Sequence, residues 1–565
     1  GTIYIGSQFL FRSRDHGTSW DRISPDLTTN DPARQRQEES GGITVDNSSA
    51  EMNTTIYSIS ESPLAPGQIW AGTDDGNVQL TRDGGLGWSN VTANLGMPAG
   101  NWISWVEASR FNPAVAYVTD DRHMMGDMQP YLYRTGDYGR TWQRIVGPGT
   151  PGVRGYAHVI KEDRANPNIL FLGTEFGLFF SLNAGQSWAQ FKPNNWPDGV
   201  AVRDIALQPA TDDMVIATHG RGIWVVDDIS PLRQLSAAVL SSPVALLPGP
   251  PVQQRIQSNG GWAEGDAAYA GENPVDGAII TYYQKARHVI GRMKLEILDA
   301  QGNVVDELPA SKRRGLNRVA WSMKTKAPVV PPAASFAGNS ATGERVLPGQ
   351  YTVRLTNAGQ VVTAPMTITL DKRATFSVAD RQAQFAAAER IKGMFVRMST
   401  AAAQINGVRE QAGALAAAAA TPPAVKAAAT QLAAKADALR KEIVATKEGG
   451  AITGEERLRE HVDEIYGAIN SVEDRPTPYQ LARIDALDRE LKDVEGQWAT
   501  LQAGDVAAFN ATLKAASMPA LTIARVEFDR DALPAGGRAA ALARGLVGTR
   551  FTGDVGALEV TGDKD

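Results

Sequence analysis

An eight-residue motif occurs four times before residue 190, and it constrains the fold more than any other feature of the sequence. Each copy reads Ser or Thr, x, Asp or Asn, x, Gly, x, x, Trp. The three key positions are Asp15, Gly17 and Trp20; Asp83, Gly85 and Trp88; Asp137, Gly139 and Trp142; and Asn183, Gly185 and Trp188. Asp or Asn accepts backbone N–H groups in tight turns, Gly adopts positive φ, and Trp supplies apolar surface for packing. The motif therefore predicts one hairpin turn that is repeated in four structural units.

A second pattern recurs upstream of the later copies of the motif. Segments 61–73, 107–119, 162–174 and 207–218 each read as a strand, a polar or Pro-containing turn and an apolar strand. Together the two patterns predict four-stranded antiparallel units, of which the first is partial and the last has no motif. A fixed arrangement of strands repeated in this way is typical of β-propeller blades.

These motifs resemble the Asp box, or bacterial-neuraminidase (BNR) repeat, of β-propellers. Residues 1–235 resemble the C-terminal part of a sortilin-type propeller from large secreted bacterial proteins that are often labelled glycosyl hydrolases. Segments 23–28, 70–76 and 217–224 carry the resemblance, and 271–283 resembles the domain that follows such a propeller. It implies a bacterial protein that is secreted, periplasmic or on the cell surface, with its signal peptide outside this chain.

The first unit lacks an inner strand, so we expect this chain not to close its ring alone. Upstream blades from the same gene, or a second chain, are the expected partners, together with a protein or glycan ligand.

Composition changes along the chain predict several domains, since 565 residues exceed the size of one hydrophobic core. The predicted fold class is multidomain and mainly β: a partial Asp-box β-propeller, then an immunoglobulin-like β-sandwich, then an α-helical bundle. The predicted boundaries are 1–235 for the propeller, 236–372 for the sandwich, 376–515 for the bundle and 516–565 for an extension with short strands. Within the sandwich, the Pro-rich insertion 327–345 is predicted to be an exposed loop.

Charge and composition exclude several function classes. The net charge of −6 disfavours electrostatic binding of nucleic acid. The absence of Cys excludes disulfides, thiolate nucleophiles and Cys-ligated metals. No apolar run is long enough to span a membrane. The six His show no metal-binding spacing, so no metal site and no cofactor are predicted; Asp-rich turns offer oxygen ligands for Ca²⁺, but no twelve-residue calcium loop is present.

Candidate functional residues fall in the loops between the second and third strands of each unit, on the face opposite the repeated turns. The catalytic candidates are Asp74, Asp75, Asp120, Asp121, Glu175, His219 and Arg221, and the binding candidates are Arg122, His123, Glu162 and Arg203. Two of the binding candidates, Glu162 and Arg203, are placed on the innermost strands instead, which also offer Glu61, Glu107, His158, Asp163 and Asp204. The Asp residues of the motif are interpreted as structural.

The sequence is compatible with two functions. The main hypothesis is a secreted or cell-envelope binding and assembly protein, because Asp-Asp-Gly and His-Gly-Arg-Gly are also ordinary turn sequences. The alternative is a glycoside hydrolase, sialidase-like or xyloglucanase-like, that uses paired carboxylates. A sialidase would need an arginine cluster and a Tyr nucleophile, for which Arg122, Arg203, Arg221 and Tyr156 are available.

Overall fold

A computed structural model describes residues 1–36, 53–98, 100–192, 196–256, 275–447 and 454–523. The described chain is mainly β, with a helical region at its C-terminal side. From residue 524 onward, the predicted extension with short strands lies outside the described residues.

Five antiparallel sheets follow one another along the first part of the chain. Sheet 1 contains β1 (Ile3–Gly6), β2 (Leu10–Ser13) and β3 (Asp21–Arg22). Sheet 2 contains β4 (Ile56–Glu61), β5 (Ile69–Thr73), β6 (Val78–Thr81) and β7 (Ser89–Asn90). Sheet 3 contains β8 (Trp102–Ala108), β9 (Ala116–Asp121), β10 (Leu132–Thr135) and β11 (Gln143–Val146). Sheet 4 contains β12 (Ala157–Glu162), β13 (Leu170–Thr174), β14 (Gly177–Ser181) and β15 (Ala189–Phe191), and sheet 5 contains β16 (Val202–Leu207), β17 (Met214–Thr218) and β18 (Ile223–Val226).

Neighbouring sheets pack face to face through shared apolar cores. The first strands of sheets 2 to 5 contact one another in succession, β4 with β8, β8 with β12 and β12 with β16. Such an arrangement, with first strands innermost, is consistent with the blades of a β-propeller.

The four repeated turns form the same hydrogen bonds. In each, the Ser or Thr hydroxyl donates to the Asp or Asn Oδ1 atom at 2.8–2.9 Å. The same hydroxyl accepts the Gly N–H at 2.8–3.0 Å. A second backbone N–H, four residues after the Asp or Asn, donates to Oδ1 at 2.9 Å. Both the Gly and the residue before it have positive φ. The shared positions of the motif thus supply the hydrogen bonds of the turn, while the residue before Gly varies.

The four motif tryptophans do not share one environment. Trp188 is buried, and Trp142 packs edge-on against Trp70. Trp88 donates its indole N–H at 3.0 Å to the carbonyl oxygen of Ile23, the residue that follows β3. Trp20 is 39% exposed, so the packing role predicted for the motif tryptophan does not hold at this position. The physical reason is that no earlier sheet among the described residues lies against Trp20.

In three of the five sheets, a glycine at one position lets the sheet approach the next. A Cβ on Gly173 would lie 2.5 Å from the Val159 Cγ1 atom and 2.7 Å from the Val202 Cγ1 atom of sheet 5. Gly72 has the same relation to Ile103, and Gly6, in β1, to Ile56. This equivalence identifies β1 as a second strand, in agreement with the predicted partial first unit.

We expect Gly173→Ala to destabilise the protein by about 1–3 kcal/mol, because the added methyl group overpacks the junction between sheets 4 and 5. Urea unfolding followed by Trp fluorescence measures the change. Gly249→Ala is the control, since no atom lies within 4 Å of its added Cβ. Equal stabilities for the two variants would contradict this account of sheet spacing.

Two further sheets pack around a separate apolar core. One consists of β19 (Val244–Leu247), β21 (Ala278–Gln284) and β24 (Gly315–Trp321). The other consists of β20 (Val252–Gln254), β26 (Gln360–Leu370), β25 (Gly349–Asn357), β22 (Met293–Leu298) and β23 (Val304–Leu308). Arg318 joins this sandwich to sheet 5, because its guanidinium donates to the carbonyl oxygens of Asp227 and Asp228.

The helices share one large core. They are α2 (Val378–Ala417), α3 (Pro423–Ile443), α4 (Leu458–Asn470), α5 (Pro478–Leu501) and α6 (Ala507–Ala515), and a short α1 (Ala237–Ser241) precedes the sandwich. Ser377 and Thr477 cap α2 and α5 through reciprocal bonds with Asp380 and Gln480. None of the described helices is long and apolar enough to cross a bilayer.

The insertion 327–345 does not form the predicted exposed loop; it lies across the helices as a strap. Asp463 of α4 accepts the backbone N–H groups of Asn339 and Ser340. Arg459 donates to the Pro331 and Ser335 carbonyl oxygens. Pro has no backbone N–H, so the Pro-rich part of the strap offers mainly carbonyl oxygens, and Arg459 binds two of them.

A buried carboxylate secures the C-terminal end of the strap. Glu344 is 2% exposed; its Oε1 atom lies 2.9 Å from the Lys392 Nζ atom of α2, and its Oε2 atom accepts the Tyr466 hydroxyl at 3.1 Å. Burial alone would raise the pKa of Glu344, but Lys392 and the hydrogen bonds outweigh it and the pKa lies below its ordinary value.

We expect Lys392→Met to cost about 3 kcal/mol of unfolding free energy, because it leaves the Glu344 charge buried without its cation. Urea unfolding at pH 7 measures this cost, with exposed Lys426→Met as the matched control. The difference between the two variants should shrink as the pH falls and Glu344 becomes protonated in the Lys392 variant. A Lys392 variant as stable as the control would show that the strap does not depend on this pair.

Candidate functional site

The starts of the first strands and the connections between second and third strands lie on one side of the stacked sheets. We call this side the upper face; the repeated turns lie on the opposite side. Seven side chains from sheets 2 to 5 meet on the upper face and form what we call the channel cluster: Tyr57, Trp102, Asp121, His123, Tyr156, His158 and Arg203.

A β-bulge recurs near the start of each first strand. The strand registers shift between Ile56 and Ser58, Ile103 and Trp105, Ala157 and Val159, and Val202 and Asp204. The extra residues are Tyr57, Ser104, His158 and Arg203, and three of these four belong to the channel cluster. Bulges re-aim side chains and are frequent beside functional sites.

Aromatic rings pack against one another in the channel cluster. Tyr57 and Trp102 meet edge to face, with centroids 4.7 Å apart and planes at 86°. Trp102 also packs edge-on against His158 at 5.3 Å, and His123 stacks on Tyr156 at 4.4 Å. Tyr57 is 49% exposed, so a ligand on the upper face can reach its ring.

Asp121 joins the two histidines. Its Oδ1 atom lies 2.6 Å from the His123 Nδ1 atom, and its Oδ2 atom lies 2.8 Å from the His158 Nδ1 atom. Burial would raise the pKa of Asp121, but the hydrogen bonds from His158 and His123 outweigh it and hold the pKa below its ordinary value. Asp121 is therefore an ionised, buried carboxylate that orients both rings.

His158 is neutral in this environment. Burial lowers the pKa of His158, and Arg203 lowers it further, against the opposing hydrogen bond to Asp121. The Arg203 Nη1 atom lies 3.1 Å from the same Nδ1 atom, but the ionised carboxylate is the stronger acceptor. Nδ1 therefore carries the proton and donates to Asp121, which leaves Nε2 as the basic nitrogen.

Arg203 is a partly exposed cation within the channel cluster. It donates through Nη2 to the Tyr156 hydroxyl at 3.0 Å, and its Nη1 atom lies 3.9 Å from the Asp121 Oδ2 atom. Asp204, the next residue in the chain, is exposed. Burial is the main cause of the raised pKa of Tyr57, and the charge of Asp204 raises that pKa further. Cationic, anionic and aromatic groups thus border one accessible area.

Several catalytic candidates are engaged in local structure. Asp74 accepts the backbone N–H and the hydroxyl of Thr55 at 2.7 and 2.9 Å. Asp75 accepts the Thr29 N–H and hydroxyl and the Thr73 hydroxyl. Burial raises the pKa of Asp74 above its ordinary value. Both residues tie the connection after β5 to neighbouring segments.

Asp120 and Arg122 form a buried pair below the channel cluster. The Asp120 Oδ2 atom receives both Nε and Nη2 of Arg122 at 2.7 Å, and Arg122 stacks on Tyr131 at 3.9 Å. Burial raises the pKa of Asp120 to about 6. Asp120 is fully buried, so in this conformation a ligand cannot touch its carboxylate.

The remaining candidates lie apart from one another. Glu175 follows β13 and donates its N–H to the Tyr156 carbonyl oxygen, while its buried Oε2 atom has no hydrogen-bond partner among the described residues. His219 and Arg221 lie on the connection after β17, where Arg221 is exposed. Glu162 lies at the opposite end of β12 and binds Ser109, Arg110 and Tyr117. Of the three arginines that a sialidase site could use, Arg122 pairs with Asp120 and Arg203 binds Tyr156.

Sequence reasoning missed Tyr57 and Trp102 as site residues. Their only sequence signal is position, since each occurs at the start of a first strand. The bulges that direct the side chains at these starts leave no mark in the amino-acid pattern. In the described part of the chain, no group of three or more His, Asp or Glu side chains is placed to hold a metal ion.

Comparisons with known proteins give distant similarities. No protein-family model matches the chain. It is 23% identical over 257 residues, 41% of this chain and 30% of the relative, to an oligoxyloglucan-reducing end-specific xyloglucanase from Emericella nidulans. The chain thus spans less than a third of that curated relative.

Three solved structures illustrate the structural similarities. The GH74 xyloglucanase from Xanthomonas campestris is 12% identical, with a TM-score of 0.29 over 67% of this chain and 44% of that chain. The GH74 enzyme from Niastella koreensis is 16% identical, with a TM-score of 0.29 over 66% and 56%. YCF48 from Cyanidioschyzon merolae is 12% identical, with a TM-score of 0.24 over 55% and 81%.

We expect His158→Gln to flatten the loss of stability on mild acidification. Because the folded-state pKa of His158 is lowered, the unfolded chain binds more protons as the pH falls through the ordinary value of 6.5, and wild-type stability decreases. Unfolding free energies at pH 7.5 and 5.5 measure the slope. An unchanged slope in His158→Gln would contradict a buried neutral imidazole.

Proposed function

We propose that this chain is part of a carbohydrate-active β-propeller protein of the glycoside hydrolase type, which binds a saccharide chain across the upper face. The observation that carries the proposal is the channel cluster, where the exposed ring of Tyr57 packs perpendicular to Trp102 beside a partly exposed cation, Arg203, and an exposed carboxylate, Asp204. Sugar rings present C–H faces that pack on aromatic rings and hydroxyls that bind charged groups. The distant similarity to a xyloglucanase supports the same class of ligand.

Glycoside cleavage needs a carboxylic acid and a carboxylate on either side of the scissile bond. We propose Glu175 and Asp204 for these roles. The Glu175 Oε2 atom is buried and has no hydrogen-bond partner among the described residues. Burial is the main cause of the raised pKa of Tyr156, and the charge of Glu175 raises that pKa further. Asp204 is exposed beside Arg203 on the inner strand of sheet 5. Asp121 positions His123 and His158 and does not face the ligand.

A non-catalytic glycan-binding protein is the second candidate. It is favoured by the use of Asp74, Asp75, Asp120 and Asp121 in internal hydrogen bonds, which leaves few free carboxylates at the upper face. Both candidates share one ligand surface and differ only in turnover.

Finer assignments belong to the same proposal. We propose that the repeated turns are Asp boxes of a sortilin-type propeller, that the sandwich is immunoglobulin-like, and that the domain boundaries lie near residues 235, 372 and 515. We also propose extracellular or cell-surface localisation, and completion of the propeller by blades that are not part of this chain.

We expect Tyr57→Ala and Trp102→Ala to weaken saccharide binding at least about tenfold, because the first removes an exposed stacking ring and the second removes the ring that holds it edge to face. Calorimetry with a panel of oligosaccharides that includes xyloglucan fragments measures affinity. Tyr479→Ala, on an exposed helix position, and Trp20→Ala, on a repeated turn, are matched controls that should bind as the wild type does. Wild-type affinity in both upper-face variants would place the ligand elsewhere.

We expect Glu175→Gln and Asp204→Asn to retain binding and to lower reducing-end release by about 10²–10⁴-fold. Exposed Glu490→Gln is the control. If the wild-type chain binds saccharide but releases no reducing ends, the non-catalytic candidate is favoured. If both variants release reducing ends at the wild-type rate, Glu175 and Asp204 are excluded as the acid and the base.

A further inference from the structure

One end of the β-sandwich carries three connections that lie side by side. Residues 285–292 join β21 to β22, 309–314 join β23 to β24, and 357–360 join β25 to β26. The pairings of Met293 with Asn357 and of Leu295 with Leu308 bring these connections to the same end. We call them together the basic end, for the charges described below.

The first two connections of the basic end hold each other in place. The His288 N–H donates to the Lys312 carbonyl oxygen at 3.0 Å, and the Lys312 Nζ atom donates to the Gly291 carbonyl oxygen at 2.8 Å. The tip between these bonds consists of Val289 and Ile290, which are 77% and 86% exposed. Two adjacent β-branched apolar side chains are thus presented to solvent on a braced loop.

Positive charge surrounds this apolar tip. The three connections contain six Lys or Arg and neither Asp nor Glu: Lys285, Arg287, Arg292, Lys312, Arg313 and Arg314. Glu307, near the end of β23, partly offsets this charge, since its Oε1 atom lies 2.7 Å from the Arg292 Nη2 atom. The whole chain has a net charge of −6, so this concentration of cations is local and opposite in sign to the rest.

We propose that the basic end binds the surface of an anionic phospholipid bilayer, with Val289 and Ile290 entering the boundary between headgroups and acyl chains. Lys and Arg near a membrane surface are attracted by anionic headgroups, and an apolar tip gains free energy where water gives way to hydrocarbon. A soluble polyanion would use the same cations but would leave the exposed tip without a role. The proposal does not depend on the saccharide site.

The attachment is reversible. Two apolar residues bury little surface, so affinity depends on the surrounding charges and falls as salt screens them. The third connection, the hairpin at 357–360, carries no charge and allows close approach to the bilayer.

Co-sedimentation of the full chain with vesicles tests the proposal. Phosphatidylglycerol–phosphatidylcholine vesicles should bind the protein at low salt, and pure phosphatidylcholine vesicles should not. Arg287→Gln with Arg313→Gln and Arg314→Gln should weaken binding about 100-fold, and Val289→Ser with Ile290→Ser about tenfold. Two controls should bind as the wild type does: Leu86→Ser, at a residue that is 91% exposed elsewhere, and Lys426→Gln with Arg489→Gln and Lys514→Gln, which removes three distant charges.

Melting temperatures establish that every variant is folded before binding is compared. Absence of binding to anionic vesicles would overturn the proposal. So would binding that the Val289 and Ile290 substitutions leave unchanged, because the tip would then contribute nothing. Tight binding to dextran sulfate without vesicle binding would identify the basic end as a site for soluble polyanions instead.

Discussion

Close packing between the second strand of one sheet and the first strand of the next is the constraint on which the stacked sheets depend. Glycine at Gly6, Gly72 and Gly173 leaves the room that Ile56, Ile103 and Val202 of the following sheets fill. Each junction buries apolar side chains from both sheets, so burial stabilises the stack only while this spacing holds. Because the junction repeats, the first strands come together in order around one axis.

The channel cluster is a consequence of that convergence. Each first strand contains a bulge near its start, and three of the four bulged residues, Tyr57, His158 and Arg203, point into one area with Trp102. Asp121 then fixes the imidazoles through two hydrogen bonds. Repetition of the backbone thus places unlike side chains at equivalent positions, which is how one scaffold supports a specific site.

Some positions were predictable and others were not, for separate physical reasons. The repeated turn is a local structure whose hydroxyl, carboxylate and Gly positions lie within five residues, so its residues and bonds follow from the motif. The environment of Trp20 depends on whether another sheet packs against it, which no local motif specifies. The strap at 327–345 has the composition of an exposed loop, yet Arg459, Asp463 and Lys392 bind its backbone or its Glu344 from more than 45 residues away.

The sequence by itself determined the strand order, the repeated turns, the mainly β character and the helical C-terminal region, because these depend on periodicity, caps and turn residues close together in the chain. Only the tertiary structure decided which polar residues form the channel cluster. Asp74, Asp75 and Asp120 look as available as Asp204 in the sequence. In the structure Asp75 and Asp120 are buried and Thr55 binds Asp74, whereas Asp204 accepts the Ile205 N–H but stays exposed. The same dependence on distant partners explains the basic end, since three connections that are far apart in sequence meet only when antiparallel strands pair.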